Sequence, residues 1–263
     1  MVTVDDLRAH KQRGERFVMV TAYDAAVAGL LAEAGVPVLL VGDSVGNNHL
    51  GYPTTLPVTM EEMLHHAGAV ARGAAGQLLV GDMPFGSYHG STEQAVANAT
   101  ALVKAGMHAV KLEGGGWVAG VTTRLVECGI PVMGHLGLTP QFVNAFGGFH
   151  VQGRDAAGRE RILADARLLE AAGAFSVVLE GVPMDLAAEV TGALSIPTIG
   201  IGAGPRCDGQ VLVVYDLLGM TRGVMPKFAR AFSDVGDRVV AAARAFATEV
   251  AAGSFPDEAH SYH

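Results

Sequence analysis

The chain has 263 residues, 50% hydrophobic and only 17% charged, with a formal net charge of −8. An acidic balance of that size argues against nucleic acid as a partner, because a phosphate backbone calls for clustered Lys and Arg. The two cysteines, Cys128 and Cys207, lie far apart without a CxxC pair, which excludes a disulfide framework and a thiolate zinc site and suits the reducing cytoplasm.

Apolar runs that read as buried strands recur at 17–23, 37–42, 78–81, 109–112, 131–134, 176–179, 197–201 and 211–215. Ala-rich, helix-permissive segments at 25–34, 61–72, 92–105, 159–172 and 185–193 lie between them. Ser91 is placed to cap the helix that starts at 92, and Gly35, Gly106, Gly129 and Gly173 read as helix stops. Strands alternating with helices imply a parallel sheet with right-handed crossovers. Eight candidate strands in about 250 residues favour a closed (β/α)8 TIM barrel of the α/β class over an open sheet. One domain over 1–263 is expected, with a last helix at 234–252 and a loose tail at 253–263. The mean hydropathy of +0.33 is high for a soluble monomer. No charge-free apolar run reaches the length of about 18 residues that a membrane span needs, and the first residues lack a basic-then-apolar leader. The excess apolar character therefore predicts surface buried between the subunits of a homo-oligomer.

Four strand-like runs end on a carboxylate: Asp43, Asp82, Glu113 and Glu180. The C-terminal ends of parallel strands face the ligand crevice, so these acids converge, and converging buried carboxylates need a cation or a protonation role. Asp43, Asp82 and Glu113 follow the second, third and fourth runs and offer the hard oxygens that suit Mg²⁺. The competing reading is that each acid caps the helix after its strand.

Lys111 lies two residues before Glu113 and so on the same strand face, where a substrate carboxylate, a structural ion pair or Schiff-base chemistry would each occupy it. Glu180, at the end of the sixth run and across from the other acids, is placed for a general base in partly apolar surroundings, or else faces the surface. His135 ends the fifth run and is either a packed residue or a ligand-binding one. Ser44 can offer its hydroxyl or amide to a substrate oxygen or serve a turn. The glycines of 200–204 lack a basic neighbour and read as close backbone approach rather than a phosphate loop. Trp117 and the segment 142–149 could wall a flat ligand or belong to the core, and Gly147-Gly148 suggests a movable loop.

The blocks that carry these residues resemble one family. They are Val20-Thr21-Ala22-Tyr23-Asp24, Gly42-Asp43-Ser44, Gly81-Asp82-Met83-Pro84-Phe85, Val110-Lys111-Leu112-Glu113-Gly114-Gly115 and Gly134-His135-Leu136-Gly137-Leu138-Thr139-Pro140-Gln141. Leu179-Glu180, Cys207-Asp208-Gly209-Gln210 and Pro226-Lys227-Phe228 continue the similarity in order along nearly the whole chain. The chain resembles the 3-methyl-2-oxobutanoate (ketopantoate) hydroxymethyltransferases. That resemblance implies a barrel of the phosphoenolpyruvate/pyruvate type, assembled as a homodecamer and acting in pantothenate and coenzyme A biosynthesis. It implies one Mg²⁺ per subunit at Asp43, Asp82 and Glu113, and 5,10-methylenetetrahydrofolate as co-substrate. It further implies keto-acid contacts from Asp43, Ser44, Asp82 and Lys111, His135 as a site residue and Glu180 as the base. Residues 45–50 depart from the more apolar stretch expected after Asp-Ser. The alternative function is a Mg²⁺-dependent C–C lyase of the isocitrate-lyase type on the same fold. That type usually carries a nucleophile-like Cys loop, and neither cysteine lies in such a context.

Overall fold

The computed structural model describes residues 1–263, which divide into two compact units, Met1–Val213 and Val214–His263. The first unit carries eight strands: β1 (Phe17–Thr21), β2 (Val38–Val41), β3 (Leu78–Asp82), β4 (Ala109–Glu113), β5 (Val132–Gly137), β6 (Ser176–Glu180), β7 (Thr198–Ile201) and β8 (Gly209–Leu212). Each pairs in parallel with the next, and β8 closes on β1. Helices α1 (Val4–Arg13), α2 (Ala25–Glu33), α3 (Met60–Gly73), α4 (Thr92–Lys104), α5 (Ala119–Glu127), α6 (Val143–Phe146), α7 (Ala156–Ala171) and α8 (Met184–Ala193) complete a (β/α)8 barrel, as the alternation predicts.

Strand alternation decides what fills the barrel. Phe17, Met19, Val38, Leu40, Leu78, Val80, Ala109, Met133, Val178, Ile199 and Val211 form one apolar cluster, all on the inward parity of their strands. Two residues further along the same strands, that parity delivers Asp82, Lys111, His135 and Glu180, and a further two residues beyond Lys111 it delivers Glu113. The charged layer thus lies on the apolar column at the strands' C-terminal ends.

Two elements differ from the sequence expectation. The eighth strand begins at Gly209 rather than 211, because β1 pairs Phe17 with Gly209 and Met19 with Val211. A Cβ on Gly209 would lie 2.6 Å from the Phe17 ring, so this strand opens on a residue with no apolar signal. The unexpected element is α1, started by a reciprocal Thr3–Asp6 capping box. Its Leu7 is fully buried in the apolar column, with Val2 and Val4 packed against it.

His66 on α3 is buried, and its Nδ1 lies 2.7 Å from the Tyr23 carbonyl oxygen, to which the neutral ring donates. Burial, the largest effect, holds its pKa below 6.5, and His49 and His65 push the same way against the Tyr23 carbonyl and Glu62. The unfolded chain therefore takes up a proton near pH 6.5 that the folded chain resists, so this contribution is present above that pH and lost as pH falls. His66→Gln is expected to lose less stability than the parent between about pH 7.5 and about 5.5, read from urea midpoints. An acid loss equal to the parent's would exclude His66 as a source.

The second unit contains α9 (Val214–Leu217), α10 (Val235–Ala252) and a 3-10 turn at Glu258–His260. No helix is long and apolar enough to cross a membrane.

Candidate active site

Five ionisable side chains crowd the C-terminal ends of β2 to β5. Asp43, Asp82, Lys111, Glu113 and His135 are all buried, with Lys111 only 3% and Glu113 only 1% exposed. The ladder sets their neighbours: Asp82 is in register with Lys111, Glu113 with His135, and Gly137 with Glu180. Lys111 Nζ lies 2.7 Å from Asp82 Oδ1, 3.5 Å from Glu113 Oε1 and 3.2 Å from His135 Nδ1. His135 reaches both ways across the barrel, with Nδ1 3.2 Å from Glu113 Oε1 and Nε2 3.2 Å from Glu180 Oε2. Glu180 is therefore not in the apolar setting that its strand-end position suggests. A histidine joins it to the acid layer, and its side chain is 16% exposed.

None of the first three acids caps a helix. The caps of α3 and α4 are Thr59 and Ser91, whose side chains accept from Glu62 N and Gln94 N, and the 3-10 turn after β4 starts from Gly115. Residues Gly46–Leu50, after Asp43, wind into a π-helical turn whose preceding residue, Val45, makes no side-chain cap bond. Close to Asp43, Ser44 Oγ is 2.8 Å from the Tyr23 hydroxyl.

Two residues to which the sequence assigned no role organise the layer. Gln141 donates from Nε2 to Asp43 Oδ2 at 2.8 Å and to the Met83 carbonyl at 3.0 Å, and its backbone N–H donates to Glu113 Oε2 at 3.0 Å. Tyr88 OH donates to Gln141 Oε1 at 2.7 Å and accepts from Glu113 N at 3.1 Å. Both come from loops beyond strand ends, where neither strand nor helix period marks a side chain as inward.

The electrostatics show a surplus of negative charge. Burial, then Asp82 and Glu113, push the Asp43 carboxyl well above the usual carboxylate range, against Lys111 and Gln141. Burial likewise raises Asp82, with Lys111 opposing and Glu113 adding to the rise. Glu113 goes the other way: against the cost of burial, Lys111 and His135 hold it down at about 2. Burial and Lys111 press His135 down, yet Glu113 and Glu180 outweigh them and lift it to about 9.

Whether these residues suit a divalent ion is a question of donors and charge. Asp82 Oδ1 is buried and has no aligned hydrogen-bond donor, only the charge of Lys111. No three His, Cys, Asp or Glu side chains are arranged as a ready ligand cage. Both Glu113 oxygens already have partners, one in the Lys111–His135 pair and one in Gln141 N. A Mg²⁺ ion takes one or two carboxylates and completes its octahedron with waters and substrate oxygens. Asp43 and Asp82, the two acids that burial leaves under-compensated, fit that demand.

The aromatic residues also gather. Trp117 stacks on Tyr88 at 5.8 Å between ring centres with 14° between the planes, and meets Phe142 edge-on at 5.9 Å. The glycines of 200–204 act through close approach, since a Cβ on Gly204 would stand 2.4 Å from the Met184 Cβ.

Comparison with known proteins settles the family. The sequence signature of ketopantoate hydroxymethyltransferase matches residues 1–258. The chain belongs to the ketopantoate hydroxymethyltransferase family. The 3-methyl-2-oxobutanoate hydroxymethyltransferase of Syntrophus aciditrophicus is 54% identical over 262 residues, covering 99% of this chain and 96% of that protein. Its counterpart from Streptomyces avermitilis is also 54% identical, over 100% of this chain and 91% of its own. Among solved structures, phosphonopyruvate hydrolase in complex with oxalate and Mg²⁺ matches with a TM-score of 0.65 at 14% identity, covering 99% of this chain and 93% of that one. The 2,3-dimethylmalate lyase of the PEP mutase/isocitrate lyase superfamily matches with a TM-score of 0.62 at 18% identity, over 98% and 91% of the two chains. At those identities the likeness speaks for the shared barrel, and this family member is an enzyme of the transferase class.

Proposed function

We propose that the chain transfers a hydroxymethyl group from 5,10-methylenetetrahydrofolate to 3-methyl-2-oxobutanoate, giving 2-dehydropantoate and tetrahydrofolate. The observation that carries the reading is the continuous line Asp82–Lys111–Glu113–His135–Glu180 at one rim of the barrel. It joins a carboxylate-binding cation to a solvent-touching acid.

Asp43 and Asp82 would hold a Mg²⁺ ion, with Glu113 beside them as the third candidate acid, its Oε2 and Asp43 Oδ2 both braced by Gln141. When bound, that ion supplies Lewis acidity to the keto oxygen and so makes the C3 hydrogen acidic. Lys111 and Ser44 bind the carboxylate of the keto acid and fix its orientation. Glu180 takes the C3 proton, with the His135 Nε2 3.2 Å from its carboxylate. The electron pair left on C3 forms the new bond to the methylene carbon. The methylene bridge gives up both of its C–N bonds, one as the C–C bond forms and the other as water adds its oxygen. The C3 proton taken by Glu180 and one proton of the water end on the two folate nitrogens. The apolar side chains that α10 exposes, among them Val239 and Phe246, support assembly into a homo-oligomer, expected as a decamer.

The test is exchange of the C3 hydrogen of 3-methyl-2-oxobutanoate with deuterated solvent, followed by proton resonance without folate. Exchange is expected with Mg²⁺, is expected to stop on chelation, and is expected to leave no adduct that borohydride traps. Trapping on Lys111 with exchange surviving excess chelator would replace this reading with a Schiff-base mechanism.

A further inference from the structure

A cleft of about 230 Å³ opens beside the charged layer, lined by Gly114, Trp117, Gly137, Phe142, Gln152 and Asp165 among others. It is smaller than the ~300–1,000 Å³ of pockets that enclose a whole drug-sized ligand, so it suits a head group whose tail stays in solvent. We infer that this cleft seats the bicyclic pterin of the folate co-substrate, with Trp117 against the ring face and Asp165 on its cyclic guanidine edge. The inference rests on the proposed function and assigns the second substrate to residues outside the acid layer.

One wall is aromatic and available. Trp117 is 48% exposed although it stacks on Tyr88 behind and meets Phe142 at its edge. A flat, electron-rich heterocycle is the kind of ligand that such a face holds. Opposite in chemistry stands Asp165 on α7, whose Oδ1 accepts from Gly116 N at 2.8 Å. A Cβ on Gly115 would lie 2.1 Å from its Oδ2, so only glycine lets the carboxylate approach this loop. An ionised carboxylate has about four lone-pair sites, so the one bond to Gly116 leaves acceptors for the two N–H groups on a pterin edge.

The cleft is also joined to the reacting groups by backbone. A Cβ on Gly114, the residue after Glu113, would meet the Trp117 indole nitrogen at 2.4 Å, so the indole lies directly on the strand end that carries the acid. On the other side, Gly137 is in register with Glu180, Leu138 N donates to the Glu180 carbonyl at 2.7 Å, and Gln152 N donates to the Gly181 carbonyl at 2.9 Å. The edge of the cleft is thus hydrogen-bonded, through Leu138 and Gln152, to the strand end that carries the proposed base.

Trp117 is the chain's single tryptophan and therefore its own reporter. Titration of the whole enzyme with tetrahydrofolate, a product that cannot react, is expected to quench indole emission. A pterin without the benzoylglutamate tail is expected to quench it too, and p-aminobenzoylglutamate is expected not to. Asp165→Asn keeps an oxygen for Gly116 N; it is expected to raise the KM for 5,10-methylenetetrahydrofolate and the calorimetric Kd for tetrahydrofolate at least tenfold. Its KM for the keto acid and its C3 exchange rate are expected to stay within twofold of the parent. Trp117→Ala, followed by calorimetry, is expected to weaken tetrahydrofolate similarly. Tetrahydrofolate that binds without changing indole emission, or that binds both variants as tightly as the parent, overturns the cleft assignment while exchange is intact. Absence of exchange in the parent overturns the proposed function instead and leaves the binding result to judge the cleft.

Discussion

Lys111→Met removes about 3–5 kcal/mol of unfolding free energy, the cost of leaving buried charges without their partner. Lys111 is the buried lysine of a layer that holds Asp43, Asp82 and Glu113, and its own pKa is driven up by those three against the opposing effect of burial. Methionine fills much of the same volume, so packing changes little and the lost charge dominates. The sign of the pH effect follows from the acids. Asp43 and Asp82 already titrate above their ordinary range in the fold, and without the ammonium they rise further. A carboxyl whose folded pKa is raised gains stability as pH falls through that value, because the folded chain binds the proton first. The deficit is therefore expected to be larger at about pH 8 than at about pH 6. Urea unfolding by circular dichroism in chelator, at fixed protein concentration, measures both. A deficit below about 1 kcal/mol, or one that grows on acidification, would show that Lys111 does not neutralise this layer.

Glu180→Gln is expected to lower kcat by about 10²–10⁴-fold, the usual contribution of a positioned base. The amide keeps the shape and still presents an oxygen to His135 Nε2, which lies 3.2 Å from the native carboxylate. Stability and keto-acid binding should therefore change little, and the loss should fall on proton removal. The C3 exchange rate is expected to fall by the same factor as kcat, while the calorimetric Kd for 3-methyl-2-oxobutanoate stays within about threefold, under 1 kcal/mol. Exchange within tenfold of the parent would take the base role away from Glu180.

The strand ends were legible because two periods superpose on them. Continuous Val, Ile and Leu mark a buried parallel strand, and the first carboxylate after such a run marks where the strand leaves the core. Asp82, Glu113 and Glu180 close β3, β4 and β6 for that reason, and Asp43 follows β2. What governs Glu180 was not legible: His135 reads as an isolated residue until register sets Glu113 across from it and Val178 on its other side. Gln141 and Tyr88 were invisible for a further reason. Each reaches the layer from a loop, and only the path of the chain in space brings the Gln141 amide onto Asp43 and Glu113. Helix α1 escaped because it is polar apart from Leu7 and two valines nearby, too narrow an apolar stripe to stand out.

That short helix has an effect on traffic. With Leu7 corking the base and apolar side chains stacked above it, the barrel is a blind well. In the proposed reaction a proton lifted from carbon would have no downward route through hydrocarbon, and would leave by the mouth where Glu180 touches water. Reactants and products of that reaction would have to use the same mouth as the proton.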